Sequence, residues 1–202
     1  MVRDGRRRRV PKRRLARRIL VVTEGTCTEP QYVERLGSYL RSKGATVLVR
    51  HVAVGKDPLK VVQKCIEQRD TDGERGKGYD DCVCLVDVDN HASLPAAIQL
   101  AKQQSILLLI SNLKFEVWLR WHAESKRSAL SSKQLDKTVA QLKLVQGKQL
   151  SPKFPIENVD DACVIARQAD PDLRAGRQGP DPSTALPVLV ELMRSNAPLK
   201  LA

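Results

Sequence analysis

Residues 19–22, Ile-Leu-Val-Val, followed by Thr23-Glu24-Gly25, decide the fold that we expect for this chain. A short continuous run of β-branched and aliphatic residues is typical of a strand that is buried on both faces of a parallel sheet. Similar runs occur at residues 82–86 and 106–110, and residues 46–54 are a less apolar strand candidate. Segments with helical spacing of apolar residues lie between these runs, at residues 28–43, 59–68 and 94–103.

This alternation of strands and helices predicts the α/β class, with a mostly parallel four-stranded sheet flanked by helices. After Phe115 the apolar spacing is helical, which predicts a helical C-terminal half. The expected helices of that half are residues 115–122, 133–145, 159–169 and 184–194.

The net charge of the 202-residue chain is +12, and most of it comes from the N-terminus. The first 18 residues contain ten Arg or Lys and one Asp, which gives +9 and leaves +3 for the rest. A block of like charge is usually disordered and commonly binds nucleic acid, although a solvated arm without a partner is the alternative. We therefore expect residues 1–17 to be a basic disordered arm. The expected nucleic-acid contacts are Arg6, Arg7, Arg8, Arg9, Lys12, Arg13, Arg14, Lys114 and Lys153.

Composition narrows the expected compartment of the protein. No apolar stretch approaches the roughly 18 residues that a membrane span needs, so no membrane partner is expected. The apolar run that follows the basic N-terminus, residues 19–22, is too short for the apolar core of a secretory signal. The five cysteines form no Cys-x-x-Cys pair, which argues against a zinc ribbon or a disulfide framework. We expect free thiols in a reducing cytoplasm.

Acidic residues follow the expected strands. Glu24 follows the first strand and Glu29 lies one turn further on, Asp87 and Asp89 end the third strand, and Glu116 follows the fourth. Because the carboxyl ends of parallel strands meet at one edge of a sheet, these side chains are expected to converge there. Carboxylate oxygens are the ligands that Mg²⁺ and Mn²⁺ prefer. The sequence therefore predicts a metal site built from all five acids.

Some of these residues also have structural interpretations. Glu29 and Glu116 fall in the first turns of helices, where an acid interacts favourably with the helix dipole. Asp87 and Asp89 are two residues apart and cannot both cap well, which favours a metal or phosphate role. His91 is a candidate to assist a leaving oxygen, or a loop histidine that only hydrogen-bonds its neighbours.

Residues 115–122 place Phe115, Trp118, Leu119 and His122 on one helical face, which favours core packing. Trp121 lies off that face. Its position makes it a candidate to stack on a nucleobase.

Four segments of the chain resemble the RloB family. They are Thr23-Glu24-Gly25 with Thr28-Glu29-Pro30-Gln31-Tyr32, Asp87-Val88-Asp89-Asn90-His91, Ser111-Asn112 with Phe115-Glu116-Val117-Trp118-Leu119 and His122, and Asp181-Pro182-Ser183-Thr184. The resemblance covers nearly the whole chain after the basic arm. The chain departs from the family pattern at Leu113, where proline is usual, and at Thr26-Cys27, where a charged pair is common. These departures affect loop shape and local charge, and they leave the acids in place.

The resemblance implies a Toprim-like fold for residues 18–202, as a single domain, and a gene beside bacterial restriction-modification and phage-defence loci. In Toprim enzymes a strand-one glutamate and an Asp-x-Asp pair hold Mg²⁺ for phosphodiester chemistry. Similarity to them implies catalytic roles for Glu24, Asp87 and Asp89, and it matches Glu29 to the second acid of some nucleases. His91, which follows the Asp-x-Asp pair, is the further catalytic candidate that the sequence itself suggests.

The expected function is therefore a metal-dependent nuclease, a hydrolase that cleaves phosphodiester bonds of DNA or RNA in bacterial anti-phage defence. Other subunits of a defence system are a further expected class of partner. The alternative is a non-catalytic nucleic-acid-binding or sensing subunit of a defence complex. A transferase that uses Asp-x-Asp is a weaker third interpretation, because the Gly55-Lys56-Asp57 turn is not a phosphate-binding loop.

Overall fold

The main sheet is built from the apolar runs of the sequence. The computed structural model describes residues 16–55, 57–88 and 92–195 of the chain. The four long strands are β1 (Arg17–Thr23), β2 (Val47–Ala53), β3 (Asp81–Asp87) and β4 (Leu107–Asn112). They pair in parallel in the order β2-β1-β3-β4. All four therefore end at the same edge, which is called the carboxyl edge below.

Three strands of two residues each add to the expected set. They are β5 (Val145–Gln146) and β6 (Gln149–Leu150), which form a small antiparallel hairpin, and β7 (Ser183–Thr184). β7 pairs antiparallel with the end of β4, so the main sheet has five strands rather than four. Two residues are too few to show a strand pattern in the sequence.

Seven α-helices lie in the described ranges, and most follow the expected segments. They are α1 (Thr28–Ser42), α2 (Pro58–Glu74), α3 (Leu94–Gln103), α4 (Glu116–Arg120), α5 (Ser132–Gln141), α6 (Val159–Ala169) and α7 (Leu186–Arg194), with a 3₁₀ turn at Ile156–Asn158.

Helix α2 extends beyond the expected residues 59–68. It starts at a cap in which an Asp57 side-chain oxygen accepts from the backbone N–H groups of Leu59 and Lys60. Near its end Asp72 is buried, pairs with Arg50 at 3.1 Å and accepts from the Tyr79 hydroxyl. These contacts help to keep residues 70–74 helical, so the helix continues six residues beyond the predicted end at residue 68.

Helices cover both faces of the sheet. Along β1, Ile19 and Val21 belong to the core under α1 and the C-terminal helices, whereas Leu20 and Val22 belong to the core under α2 and α3. All four side chains are fully buried. The expected α/β class, the mostly parallel sheet and the helical C-terminal half are thus confirmed, and the arrangement is consistent with a Toprim-like α/β fold.

An aromatic cluster joins α1 to α4, and it confirms the expected core face of residues 115–122. The Tyr32 ring packs edge-on against Phe115 and Trp118 at centroid distances of 5.6 and 6.1 Å. His122 shares a 3.2 Å hydrogen bond with the Tyr32 hydroxyl, and burial lowers the pKa of its imidazole to about 4. Trp121 is also buried and donates to the Lys126 carbonyl, so the prediction that it stacks on a base is wrong.

Backbone groups on either side of β7 in the chain also cover the outer edge of β4. The Gly176 N–H donates to the Leu108 carbonyl at 2.7 Å, and the Ala185 N–H donates to the Ile110 carbonyl at 3.1 Å. Two separate pieces of the C-terminal half therefore satisfy backbone groups of this strand.

Arg17, the last residue of the predicted arm, is the first residue of β1, and its buried guanidinium pairs with Asp81 at 2.5 Å. The predicted arm contacts between Arg6 and Arg14 lie outside the described residues. The five cysteines are free thiols, as expected. In the described ranges no helix combines the length and apolarity needed to cross a membrane.

Candidate metal and nucleic-acid site

Glu24 is fixed at the carboxyl edge by the strands on either side of it. Its N–H donates to the Leu85 carbonyl of β3 at 3.1 Å, and its carbonyl accepts from the Gly55 N–H at 2.9 Å. The Thr23 hydroxyl donates to the Gly25 carbonyl and holds the turn that follows. A side-chain oxygen of Glu24 accepts from the Asp87 N–H at 3.3 Å. The carboxylate of Glu24 therefore lies against the last residue of β3.

Asp87 sits between two strands at the same edge. It is paired in register with Ser111 of β4, and the following Val88 N–H donates to the carbonyls of Ser111 and Leu113. These bonds fix the direction in which the chain leaves β3. The predicted residues Asp89 and His91 lie outside the described residues, so their roles stay predictions.

Glu29 folds back from the first turn of α1 onto the turn after β1. A Cβ placed on Gly25 would overlap the Glu29 carboxylate, so only glycine leaves room for it. The pKa of Glu29 is raised from 4.5 to about 7. Burial is the largest cause, and the nearby charges of Glu116 and Glu24 raise it further against backbone hydrogen bonds that lower it.

The structure brings four of the five predicted metal ligands to one edge. Glu116, the first residue of α4, joins Glu24 and Glu29 in electrostatic contact, and Asp87 touches Glu24 through its backbone. All their donor atoms are oxygens, which suits a hard cation such as Mg²⁺. Among the described residues no three acid, histidine or cysteine side chains stand in metal-binding geometry.

The chain around the Asp181–Thr184 motif contacts the end of β4, next to the acids. The hydroxyls of Ser111 and Thr184 share a buried 2.9 Å hydrogen bond. The Asn112 side-chain amide donates to the Gly179 carbonyl at 3.0 Å. These contacts hold the end of β4, and Ser111 with it, beside Asp87.

An open cleft of about 510 Å³ extends from the acids to the β5–β6 hairpin. It is lined by the turn from Gly25 to Glu29, by Glu116, by Asp136, Val139 and Ala140 of α5, and by Val145, Gly147 and Lys148 of the hairpin. Lys148 was not among the expected site residues, since a hairpin tip within an irregular stretch gives no sequence signal.

The two lysines that the sequence assigned to nucleic acid differ in their surroundings. The Lys114 ammonium is only 13% exposed and pairs with Asp136, so it joins the segment before α4 to α5. Lys153 is exposed, next to a chain segment that Arg35 holds through the Ser151 carbonyl. Lys114 is thus engaged with an acid, whereas Lys153 faces solvent.

Replacing Gly25 by alanine is expected to displace the Glu29 carboxylate, because the new methyl group occupies its position. The backbone at Gly25 is not left-handed, so the fold is expected to survive. The pKa of Glu29 should then fall toward 4.5 as the carboxylate reaches solvent, which NMR titration of the metal-free protein measures. An unchanged pKa near 7 would contradict the contact. Gly78→Ala is the matched control, because a Cβ there meets nothing within 4 Å.

Comparison with known proteins agrees with the resemblance of the motifs. Among curated proteins, none matches this sequence. A family model described as RloB-like protein matches residues 19–193, which runs from β1 into α7 and includes every acid of the carboxyl edge. The chain therefore belongs to the RloB-like family.

Proposed function

We propose that this protein is a metal-dependent nuclease, a hydrolase that cleaves phosphodiester bonds of DNA or RNA. The observation that supports this most is the electrostatic contact of Glu24, Glu29 and Glu116 at the carboxyl edge, beside Asp87. Such a concentration of carboxylates, one of them with a pKa near 7, is typical of a cation site or of acid–base chemistry. Membership of the RloB-like family adds the resemblance to Toprim enzymes.

Glu24, Asp87 and the predicted Asp89 would hold Mg²⁺ or Mn²⁺, with Glu29 and Glu116 completing the oxygen donors. The bound ion supplies an activated water and neutralises charge on the phosphate. Glu24 is preorganised for this role by its contact with the Asp87 N–H. Burial and the charges of Glu116 and Glu24 raise the pKa of Glu29 to about 7 in the metal-free protein, and a bound cation would offset that repulsion. His91 would assist the leaving oxygen.

The biological setting that we propose rests on the family. Similarity to proteins encoded beside restriction-modification and phage-defence genes favours a cytoplasmic role in anti-phage defence, with other defence subunits as partners. The enzyme class and the setting are separate proposals, because the geometry of the carboxyl edge bears only on the first.

Purified protein is expected to shorten labelled single- or double-stranded DNA or RNA in the presence of Mg²⁺ or Mn²⁺ and to leave it intact in chelator. Gel analysis of the products measures this. Binding without cleavage of any of the four substrates, with either ion, would overturn the nuclease proposal and favour the non-catalytic binding subunit.

A further inference from the structure

Lys148 lines the cleft, and the chain segment that forms this side of the cleft contains further exposed lysines. Residues 131–153, which comprise α5, the β5–β6 hairpin and the segment after it, contain one acid, Asp136, and that acid already pairs with Lys114. Within the part of the chain that the structure describes, none of the five exposed lysines of this segment has an acidic partner. They are Lys133, Lys137, Lys143, Lys148 and Lys153.

The geometry of α5 places two of these lysines at the rim of the cleft. Asp136 and Ala140 line the cleft and are four residues apart, so they share one helix face. Lys133 lies three residues before Asp136, and Lys137 lies three residues before Ala140. Each lysine is therefore one turn from a cleft-lining residue, on the adjoining solvent side.

The hairpin that carries Lys148 is held in place by α1. The Thr28 hydroxyl donates to the Lys148 carbonyl at 3.0 Å, and the Leu150 N–H donates to the Gln31 side chain at 2.8 Å. Thr28 immediately precedes Glu29 of the acid cluster. The backbone of Lys148 is thus fixed relative to the acids, while its ammonium remains exposed.

The size and lining of the cleft fit a single strand of nucleic acid. Its volume of about 510 Å³ is within the range of small-molecule sites and suits a single nucleotide unit. Val139, Ala140 and Val145 supply an apolar wall for a sugar or base, and the lysines at the rim supply positive charge for phosphates. A duplex would have to be opened before one of its strands entered such a cleft.

We propose that the cleft, rimmed by Lys133, Lys137 and Lys148, binds the phosphate backbone of a single-stranded nucleic acid and directs it to the carboxyl edge. The inference rests on the proposed nuclease function, since it names the form of nucleic acid that reaches the acids. The main support for this inference is the charge complementarity between these unpaired lysines and the phosphates of a nucleic acid. Affinity from such contacts is largely independent of sequence.

The test compares the binding of nucleic acid by two triple variants of the full chain. It is done in chelator, so that no metal-dependent cleavage occurs. Lys133→Gln/Lys137→Gln/Lys148→Gln removes the rim. Lys43→Gln/Lys77→Gln/Lys102→Gln removes three exposed lysines that lie just before β2, before β3 and in the last turn of α3, at the opposite edge of the sheet. Each variant loses three positive charges, so the two have the same net charge, and both keep the basic N-terminus.

Each phosphate contact on a single strand contributes about 0.7 to the slope of log affinity against log salt concentration. The rim variant is expected to reduce this slope by about 2 for a labelled 20-nucleotide single strand. The control variant should leave the slope unchanged, and both should melt like the parent. An equal reduction in the two variants, or none in the rim variant, would overturn the proposal.

A blunt duplex of the same sequence identifies the form that is bound. The rim variant is expected to lose no more affinity for the duplex than the control variant does. An equal slope loss on duplex and single strand would overturn the single-strand assignment. Failure of the nuclease proposal would instead appear as uncleaved substrate with Mg²⁺ while the rim variant still shows its slope loss, so the two failures are distinguishable.

Discussion

Replacing Glu24 by glutamine is expected to lower the rate of cleavage by roughly 10²- to 10³-fold, the loss typical of removing one charge-stabilising group from an active site. Glutamine has the same shape, and its amide oxygen can still accept from the Asp87 N–H. The negative charge that would hold Mg²⁺ is lost. Initial rates of cleavage with saturating Mg²⁺ measure the loss of activity. The thermal melting temperature, which is expected to stay unchanged, measures the effect on the fold.

Glu34→Gln is the matched control, because Glu34 is an exposed glutamate of α1. It should cleave at the parent rate. A Glu24→Gln protein that cleaves at the parent rate would refute the role of Glu24 in the metal site. A melting temperature many degrees lower would mean instead that Glu24 stabilises the fold.

Glu29→Gln is expected to stabilise the metal-free protein above neutral pH. The folded-state pKa of Glu29 is about 7 and its ordinary value is 4.5, so the folded chain binds the extra proton between these values. The free energy of unfolding of the parent should therefore fall as pH rises from about 4.5 to 7, by about 3 kcal/mol in total. Glutamine carries no ionisable group and is expected to lose this pH dependence.

Urea unfolding at pH 4.5 and pH 8, in chelator, measures the difference. At pH 8 the variant should be more stable than the parent by up to about 3 kcal/mol, and at pH 4.5 the two should be nearly equal. Glu34→Gln should follow the parent at both values. A Glu29→Gln protein that is less stable than the parent at pH 8 would contradict the prediction, because it would show that the charged carboxylate makes net favourable contacts in the folded protein.

Sequence patterns predicted those parts of the fold that local chemistry determines. Buried strands such as residues 19–22 must be apolar on both faces, so β1, β3 and β4 were visible as runs. The position of the acids at one edge was also predictable, because the carboxyl ends of parallel strands lie at the same edge of a sheet. The end of α2 was not predictable, because Asp72 is held by Arg50 and Tyr79, whose proximity depends on the completed sheet.

The cleft depended on contacts between residues far apart in the chain. Thr28 and the Lys148 carbonyl are 120 positions apart, and no local pattern links them. The overlap between Gly25 and the Glu29 carboxylate depends on how the turn after β1 closes. Trp121 was misplaced because helical spacing alone did not show that its off-face side chain is buried and donates to the Lys126 carbonyl.

The pairing of β7 with β4 means that the outer strand of the sheet is made well before the residues that cover it. Ser111 and Thr184 are 73 residues apart, so at a synthesis rate of about 5–20 residues per second the partner of Ser111 is made roughly 4–15 s after it. Through that interval the outer edge of β4 lacks the N–H groups of Gly176 and Ala185 that cover it in the finished fold. An uncovered strand edge on a nascent chain is a site for mispairing with neighbouring chains. Production of this protein should therefore be sensitive to translation speed and to chaperone supply, and truncation before residue 176 should yield aggregates rather than a smaller soluble domain.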